Sequence, residues 1–186
     1  MSFKIVPDLA MYPDFITPKR GSAYSAGIDV FAQQDVRVTK NSTMINLGFK
    51  ASIPAGYGAF LLPRSGYGSK YGLALSNTIG LLDPDYRGYW MASVWLNGAG
   101  SKIDSLTQDQ LKFKQCLKLR MDNGETLTQE DYETYLRDTF LLIPRGEAIG
   151  QLVFMRTEQW EAEIVTELDA TVRGEGGFGS TNKVKH

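Results

Sequence analysis

Catalysis at neutral pH rests on histidine, cysteine, a metal or carboxylates, and this chain narrows the choice. It holds one cysteine, Cys116, and one histidine, the terminal His186. An intrachain disulfide is impossible, a Cys/His zinc cage is excluded, and Ser-His or Cys-His nucleophilic catalysis has almost nothing to build on. Acid–base or metal chemistry must come from carboxylates. Five short segments set carboxylates, arginines, hydroxyls or amides beside glycines: SAGIDV (25–30), LPRSGYGSKYG (62–72), SNTIGLLDPDYRG (76–88), PRGEAIGQLVF (144–154) and RGEGGFGST (173–181).

In the first segment a glycine lets the backbone turn tightly before Asp29. Taken alone, Asp29 reads as a turn or cap residue. In the second, an apolar strand ends at Arg64, Ser65 and Gly66. Backbone N–H groups of a glycine-containing turn can converge on an anion, and Arg64 adds a forked cation, which suits a polyphosphate. The plain alternative is a surface loop with solvated Arg64 and Lys70; the G-x-x-x-x-G-K-[ST] spacing of a P-loop is absent. In the third, an apolar run ends in an Asp83-Pro84-Asp85-Tyr86 turn. Turn chemistry explains Pro84 and one aspartate. It does not explain two carboxylates and an aromatic at one tip, where a carboxylate at a pocket mouth could act on water as a general base. The fourth reads as a turn and then a strand, with Gln151 at an outward polar position. In the fifth, Gly174, Gly176 and Gly179 fit G-x-G-x-x-G, but only five residues follow Thr181. No helix can follow to hold a pyrophosphate, so the dinucleotide reading fails. A disordered tail is the plain reading; Phe178 is out of place in one, and Arg173, Ser180 and Thr181 look like anion-binding chemistry.

These segments need a frame. Residues 43–53 alternate, with Ile45, Leu47, Phe49, Ala51 and Ile53 on one face, as a half-buried strand requires. Further strands are predicted at Tyr57–Leu62, Tyr89–Leu96, Thr139–Ile143, Ile149–Met155 and Glu161–Glu167, punctuated by Gly and Pro. Many short strands with regular turns predict an all-β barrel or sandwich. Residues 105–138 break the pattern and predict a helical hairpin. Thr107-x-x-Gln110 opens its first helix and Asn123-Gly124 stops it; Thr128-x-x-Asp131 opens a second, with Tyr132, Tyr135 and Leu136 at helical spacing. The length of 186 residues suggests one domain, and 42% hydrophobic with 22% charged residues is ordinary for a globular protein. A net charge of −1 draws the chain to neither nucleic acid nor membrane. No signal peptide opens it and no apolar run approaches the roughly 20 residues of a membrane helix, so a cytoplasmic location is expected.

The five segments, in this order and wording, resemble the five motifs of the trimeric deoxyuridine triphosphatase (dUTPase) family, over most of residues 20–98 and 139–181. The resemblance implies a jelly-roll-type β-barrel, assembled as a homotrimer whose active sites lie between subunits. It implies magnesium-assisted hydrolysis of dUTP to dUMP and pyrophosphate, which limits uracil in DNA and supplies dUMP for dTTP synthesis. Asp83 matches the aspartate that activates the attacking water. Asn77, Gly80, Leu81, Leu82 and the backbone near Met91 match the hairpin that holds uracil and sugar, and Tyr86 the tyrosine under the deoxyribose. Arg64, Ser65 and Gly66 match the phosphate-binding turn; Asp29 and Gln151 match residues that touch magnesium-bound water. Residues 1–172 correspond to the β domain and 173–186 to an arm that closes over a neighbouring subunit's site. There Phe178 would stack on the uracil, and Arg173, Gly179, Ser180 and Thr181 would grip the γ-phosphate. Ala148 and Gly150 depart from the fourth motif. The insert is the larger departure: it resembles insertions in phage and viral members and is a candidate surface for a protein partner. A deaminase of dCTP and a catalytically idle nucleotide sensor are the rival readings.

Overall fold

The computed structural model describes residues 2–98, 100, 115–129, 131 and 140–176, with the side chain of Phe140 excepted. Its strands are β1 (Lys4–Pro7), β2 (Ile28–Phe31), β3 (Val36–Thr39), β4 (Thr43–Ser52), β5 (Tyr57–Pro63), β6 (Leu73–Leu75), β7 (Gly80–Leu82), β8 (Tyr89–Leu96), β9 (Phe140–Ile143) and β10 (Ala148–Arg156). A short helix, α1 (Ser65–Tyr71), interrupts them. All strand pairing is antiparallel. One sheet runs β1-β4-β8-β6, a second β2-β10-β5-β7, and β3 pairs with β9 alone. The fold is all-β, as the sequence predicts, and it is built from these three sheets; none closes on itself among the described residues.

Period-two burial makes the sheets. On β4 and just beyond, Ile45, Leu47, Phe49, Ala51 and Ile53 are all buried, and Lys50 is exposed. Trp90, Ala92, Val94 and Leu96 do the same on β8. Aromatic rings link the two large sheets. Phe49 and Trp90 lie 5.4 Å apart between centroids, Phe3 stacks on Trp90 at 6.1 Å, and Phe3 meets Phe154 of β10 at 4.9 Å. Each such pair adds about 0.5–1.5 kcal/mol beyond the area it buries.

Two expectations change. Glu161–Glu167 forms no strand: Ile164 is 98% exposed and Trp160 nearly as much. A strand needs a partner edge, and no described strand pairs with this segment. Helix α1 stands where the sequence reads as a glycine-containing turn or a surface loop, and SGYGSKY, with two glycines and two serines, has low helix propensity. Tertiary contact overrides that propensity. Tyr67 and Tyr71, one turn apart, pack on the core with ring centroids 5.7 Å apart. Gly72 closes the helix at φ 71°, its N–H bonded to the carbonyl of Gly68. Tyr67 also hydrogen-bonds Glu147, just before β10; burial first and then Glu147 push its hydroxyl up to about 12.

In the insert, residues 115–122 are helical and stop at Asn123-Gly124, where Gly124 takes φ 80° and its N–H bonds the carbonyl of Met121. The second cap forms reciprocally: the Asp131 N–H donates to Thr128 Oγ1 at 3.1 Å, and the Thr128 N–H to Asp131 Oδ2 at 3.3 Å. The Thr107 cap, Tyr132, Tyr135, Leu136 and Thr139 lie outside the described residues.

The β1–β4 edge carries a titrating contact. Tyr89 Oη donates to Asp8 Oδ2 at 2.8 Å, and this bond, then the Met11 N–H, holds the Asp8 carboxyl below its ordinary 3.8. A carboxyl lowered on folding stabilises the fold above its unfolded value, and that gain is lost as pH falls through the lower folded value. Chemical denaturation of wild type and Tyr89→Phe across pH should therefore show a stability gap near neutrality. That gap should shrink only once pH drops below 3.8.

Candidate active site

Strand β10 lies between β2 and β5, and its register brings three of the sequence segments together. Gln151 stands opposite Asp29 on one side and Leu62 on the other. One residue past Pro63 the chain leaves β5 at Arg64, which opens α1 with φ −98° and ψ 139°. Asp29 is thus a strand residue, not a turn residue, and its backbone also bridges to Lys19. Arg64 Nη1 is paired with Asp29 Oδ2. These residues, with Ser25, Gly27 and Ser65, line an open cleft of about 330 Å³.

Local structure suits this cleft to anions. The first intrahelical bond of α1 runs from the Gly68 N–H to the Arg64 carbonyl. The N–H groups of Ser65, Gly66 and Tyr67 have no carbonyl within the helix to bond. A Cβ on Gly66 would meet nothing within 4 Å, so the glycine leaves the approach to these donors open. Gln151 Nε2 donates to the Pro63 carbonyl at 3.3 Å, and a Cβ on Gly27 would come within 2.6 Å of Gln151 Oε1. Gly27 thereby lets the Gln151 side chain lie across β2. A Cβ on Gly150 would sit 3.0 Å from Leu61 Cδ1 and 3.1 Å from the Leu62 carbonyl, so this close crossing of β10 and β5 suits glycine.

Asp29 and Gln151 stand opposite each other and offer oxygen donors of the kind a hard cation takes, although Arg64 pairs with Asp29 Oδ2; among the described residues no three His, Cys, Asp or Glu side chains cluster. Magnesium is satisfied by one or two protein oxygens, waters and substrate phosphates.

The third segment sits elsewhere. It crosses between sheets: β6 pairs with β8, β7 pairs with β5, and β8 returns to the first sheet. Tyr86 Oη donates to the Tyr89 carbonyl at 3.2 Å, and a Cβ on Gly88 would overlap that hydroxyl, so Gly88 lets the ring lie flat. Thr78 takes φ 66°, the one positive φ outside glycine among the described residues, at about 1–3 kcal/mol for such backbone strain. Leu82 stands opposite Ala59, so Asp83 leaves the sheet level with Gly58. From Asp29 that is four residues along β5 from Leu62 and three strand spacings across. At about 3.3 Å per residue and 4.8 Å per strand, the two backbones lie roughly 19 Å apart. Asp29, Arg64, Ser65, Gly66 and Gln151 form one cluster in the chain. Asn77, Gly80, Leu81, Leu82, Asp83, Tyr86 and Met91 lie on β7, β8 and the turns beside them, outside this cleft.

Comparison with known proteins decides the family. The dUTPase family model matches residues 14–134. The deoxyuridine 5'-triphosphate nucleotidohydrolase of Erwinia tasmaniensis is 31% identical over 185 residues, 95% of this chain and 93% of the relative. This chain belongs to the dUTPase family. The Escherichia coli enzyme of the same name is 32% identical over 91% of this chain and 89% of its own. Among solved structures, a point mutant of the dUTPase of Staphylococcus bacteriophage 80alpha, in complex with dUpNHpp, superposes with TM-score 0.68 at 23% identity, over 96% of this chain and 97% of its own. The dUTPase of phage phi11 of S. aureus, described with a structural Mg(II) ion, superposes with TM-score 0.64 at 21% identity, over 91% and all of its own chain. At these identities the two structures establish the shared fold.

Within this dUTPase fold, Arg173 and Gly174 close a turn: the Gly174 N–H bonds Thr171, and Arg173 Nε donates to the Gly176 carbonyl at 2.7 Å. Phe178, Gly179, Ser180 and Thr181 lie outside the described residues. Sequence reasoning gave Gly27 a tight turn before Asp29, whereas the structure uses it to make room for Gln151; it missed Gly88, two residues from Tyr86. Gly27→Ala is expected to swing Gln151 off the Pro63 carbonyl, because the new Cβ would come within 2.6 Å of its Oε1 and 3.1 Å of its Cβ. Side-chain amide resonances of Gln151 should shift while stability falls by only about 1 kcal/mol or less.

Proposed function

We propose that this chain hydrolyses dUTP to dUMP and pyrophosphate at sites shared between the subunits of a homotrimer. The separation of Asp83 from the Asp29–Arg64–Gln151 cleft carries the reading of a shared site. A span of roughly 19 Å would need Asp83, a water, a phosphate and a hydrated magnesium ion in a fully stretched line, which leaves no room for working geometry within one chain. A neighbouring copy that brings its third segment to this cleft supplies what the single chain cannot.

In such a site Arg64 would exchange Asp29 for a substrate phosphate and pair with it bidentately. The N–H groups of Ser65 and Gly66 would add donors. Asp29 and Gln151 would orient the waters of a magnesium ion. That ion, when bound, neutralises charge on the triphosphate and favours its in-line geometry. Asn77, Gly80, Leu81, Leu82 and the backbone near Met91 would present main-chain donors and acceptors to the pyrimidine edge. Tyr86 would underlie the deoxyribose and leave no room for a 2′-hydroxyl. Asp83 would orient a water and take its proton as the oxygen attacks the α-phosphorus. The bond to the β-phosphate breaks, and pyrophosphate leaves. The arm 173–186, joined to the β domain 1–172, would close over the bound nucleotide. Phe178 would then lie on the uracil, and Arg173, Gly179, Ser180 and Thr181 on the γ-phosphate. No helix among the described residues is long and apolar enough to cross a membrane, which accords with a nucleotide enzyme of the cytoplasm.

Pyrophosphate release with magnesium should be fast for dUTP, slow for dTTP, dCTP and UTP, and reduced at least 100-fold by Asp83→Asn, about the share of a general base. Ammonia release from dCTP would make the chain a deaminase instead. Deleting 173–186 should cut kcat/KM for dUTP about 100-fold or more, through the lost charge-assisted bonds to phosphate. Mixing the inactive variants Asp83→Asn and Arg64→Ala under conditions of subunit exchange should restore about a quarter of wild-type activity, the statistical share of intact sites in mixed trimers. No recovery in mixtures shown to exchange would place both residues in one chain's site.

A further inference from the structure

Three serine hydroxyls from separate parts of the chain meet at the root of the Asn77–Thr78 turn. Ser42 Oγ lies 2.7 Å from Ser93 Oγ and 3.1 Å from Ser76 Oγ, and Ser76 Oγ lies 2.5 Å from Ser93 Oγ. Ser42 directly precedes β4, Ser93 lies within β8, and Ser76 directly follows β6, so the ring ties three neighbouring strands of one sheet at the same level. A hydroxyl gives one donor and accepts twice. Three in a closed ring each donate once and accept once, and such chains polarise one another.

What the ring holds is a turn that nothing else holds by burial. Ser76, Asn77, Thr78 and Ile79 are all exposed. Thr78 is β-branched and sits at φ 66°, a conformation that persists only when its surroundings over-determine it. The backbone constraints are the Ser76 N–H to the Ser93 carbonyl at 2.8 Å, the Thr78 N–H to Leu75 at 3.1 Å and the Ile79 N–H to Asn77 at 2.7 Å. The first of these joins the same two serines as the ring. The ring therefore fixes the point from which the strained turn departs, and the turn leads into Gly80 of β7.

We propose that the Ser42–Ser76–Ser93 hydroxyl ring positions the Asn77–Thr78 turn, and through it sets recognition of the pyrimidine edge without touching the substrate. The inference rests on the reading of Asn77 and β7 as the base-binding segment. The three serines are positioning residues and take no part in the chemistry at Asp83.

The test uses the full chain and two independent readouts. Hydrogen exchange of the 76–79 amides should speed up about tenfold in Ser42→Ala and in Ser93→Ala, the size of one lost hydrogen bond. Ser42→Thr keeps the hydroxyl at an exposed position and should restore slow exchange. In kinetics, both alanine variants should raise KM for dUTP about tenfold with kcat within about twofold, and should narrow the preference for dUTP over dCTP. Thr78→Gly relieves the positive φ, so the effect of Ser42→Ala on KM should be smaller in that background. Unchanged exchange at 76–79 overturns the proposal. So does a lower Tm with KM and base preference unaltered, which would make the ring a plain structural tie. If the wild type does not hydrolyse dUTP, the functional reading fails, and exchange still decides whether the ring holds the turn.

Discussion

The double pairing of β10, with β2 on one side and β5 on the other, is the constraint on which the Asp29–Arg64–Gln151 cleft depends. Because side chains alternate with a period of two, the register that sets Gln151 opposite both Asp29 and Leu62 also decides where the chain exits at Pro63. Arg64 follows as the first residue off the sheet, close enough to pair with Asp29. A slip of one residue would turn Asp29 and Gln151 to the other face and carry Arg64 away. Glycine makes the register possible: Gly150 allows β10 to approach β5 closely, and Gly27 makes room for Gln151.

The same sheet sets the limit of one chain. β7 adds to the far side of β5 and runs so that Asp83 emerges away from Arg64, with the chain then crossing to the other sheet at β8. Asp83 and the Asp29–Arg64–Gln151 cleft are thereby both anchored on strands of one sheet but held apart. The Arg64–Asp29 pair is partly solvated, at 37% and 19% exposure of the two side chains. Pairs of this kind are worth about 0–1 kcal/mol, so losing this contact would cost the fold little.

Sequence reading succeeded where a signal is repeated. The alternation at 43–53, the strands predicted at 57–62, 89–96 and 149–155, and the Asn123-Gly124 helix stop all rest on several residues that agree. It failed where an element is short or held from outside. Strands β2, β6 and β7 have three or four residues each, too few to show a period. Helix α1 has a loop's composition and is made helical by two tyrosines on the core. The run Glu161–Glu167 has a strand's composition and pairs with no described strand. Local pattern measures what a segment could do, and pairing decides what it does.

By itself the sequence determined the chemistry available. With one terminal histidine and one cysteine, function had to rest on carboxylates, arginines and backbone donors, and five ordered segments named the family to which they belong. It also determined the all-β class, because alternation is written residue by residue. Only tertiary structure decided that Asp29, Arg64 and Gln151 share one cleft while Asp83 stands apart from them in the same chain. That difference comes from strand order and register, which link residues more than eighty positions apart and leave no trace in local spacing. It is the three-dimensional pairing that gathers some of the motif residues into one cleft and leaves others on a different part of the same chain.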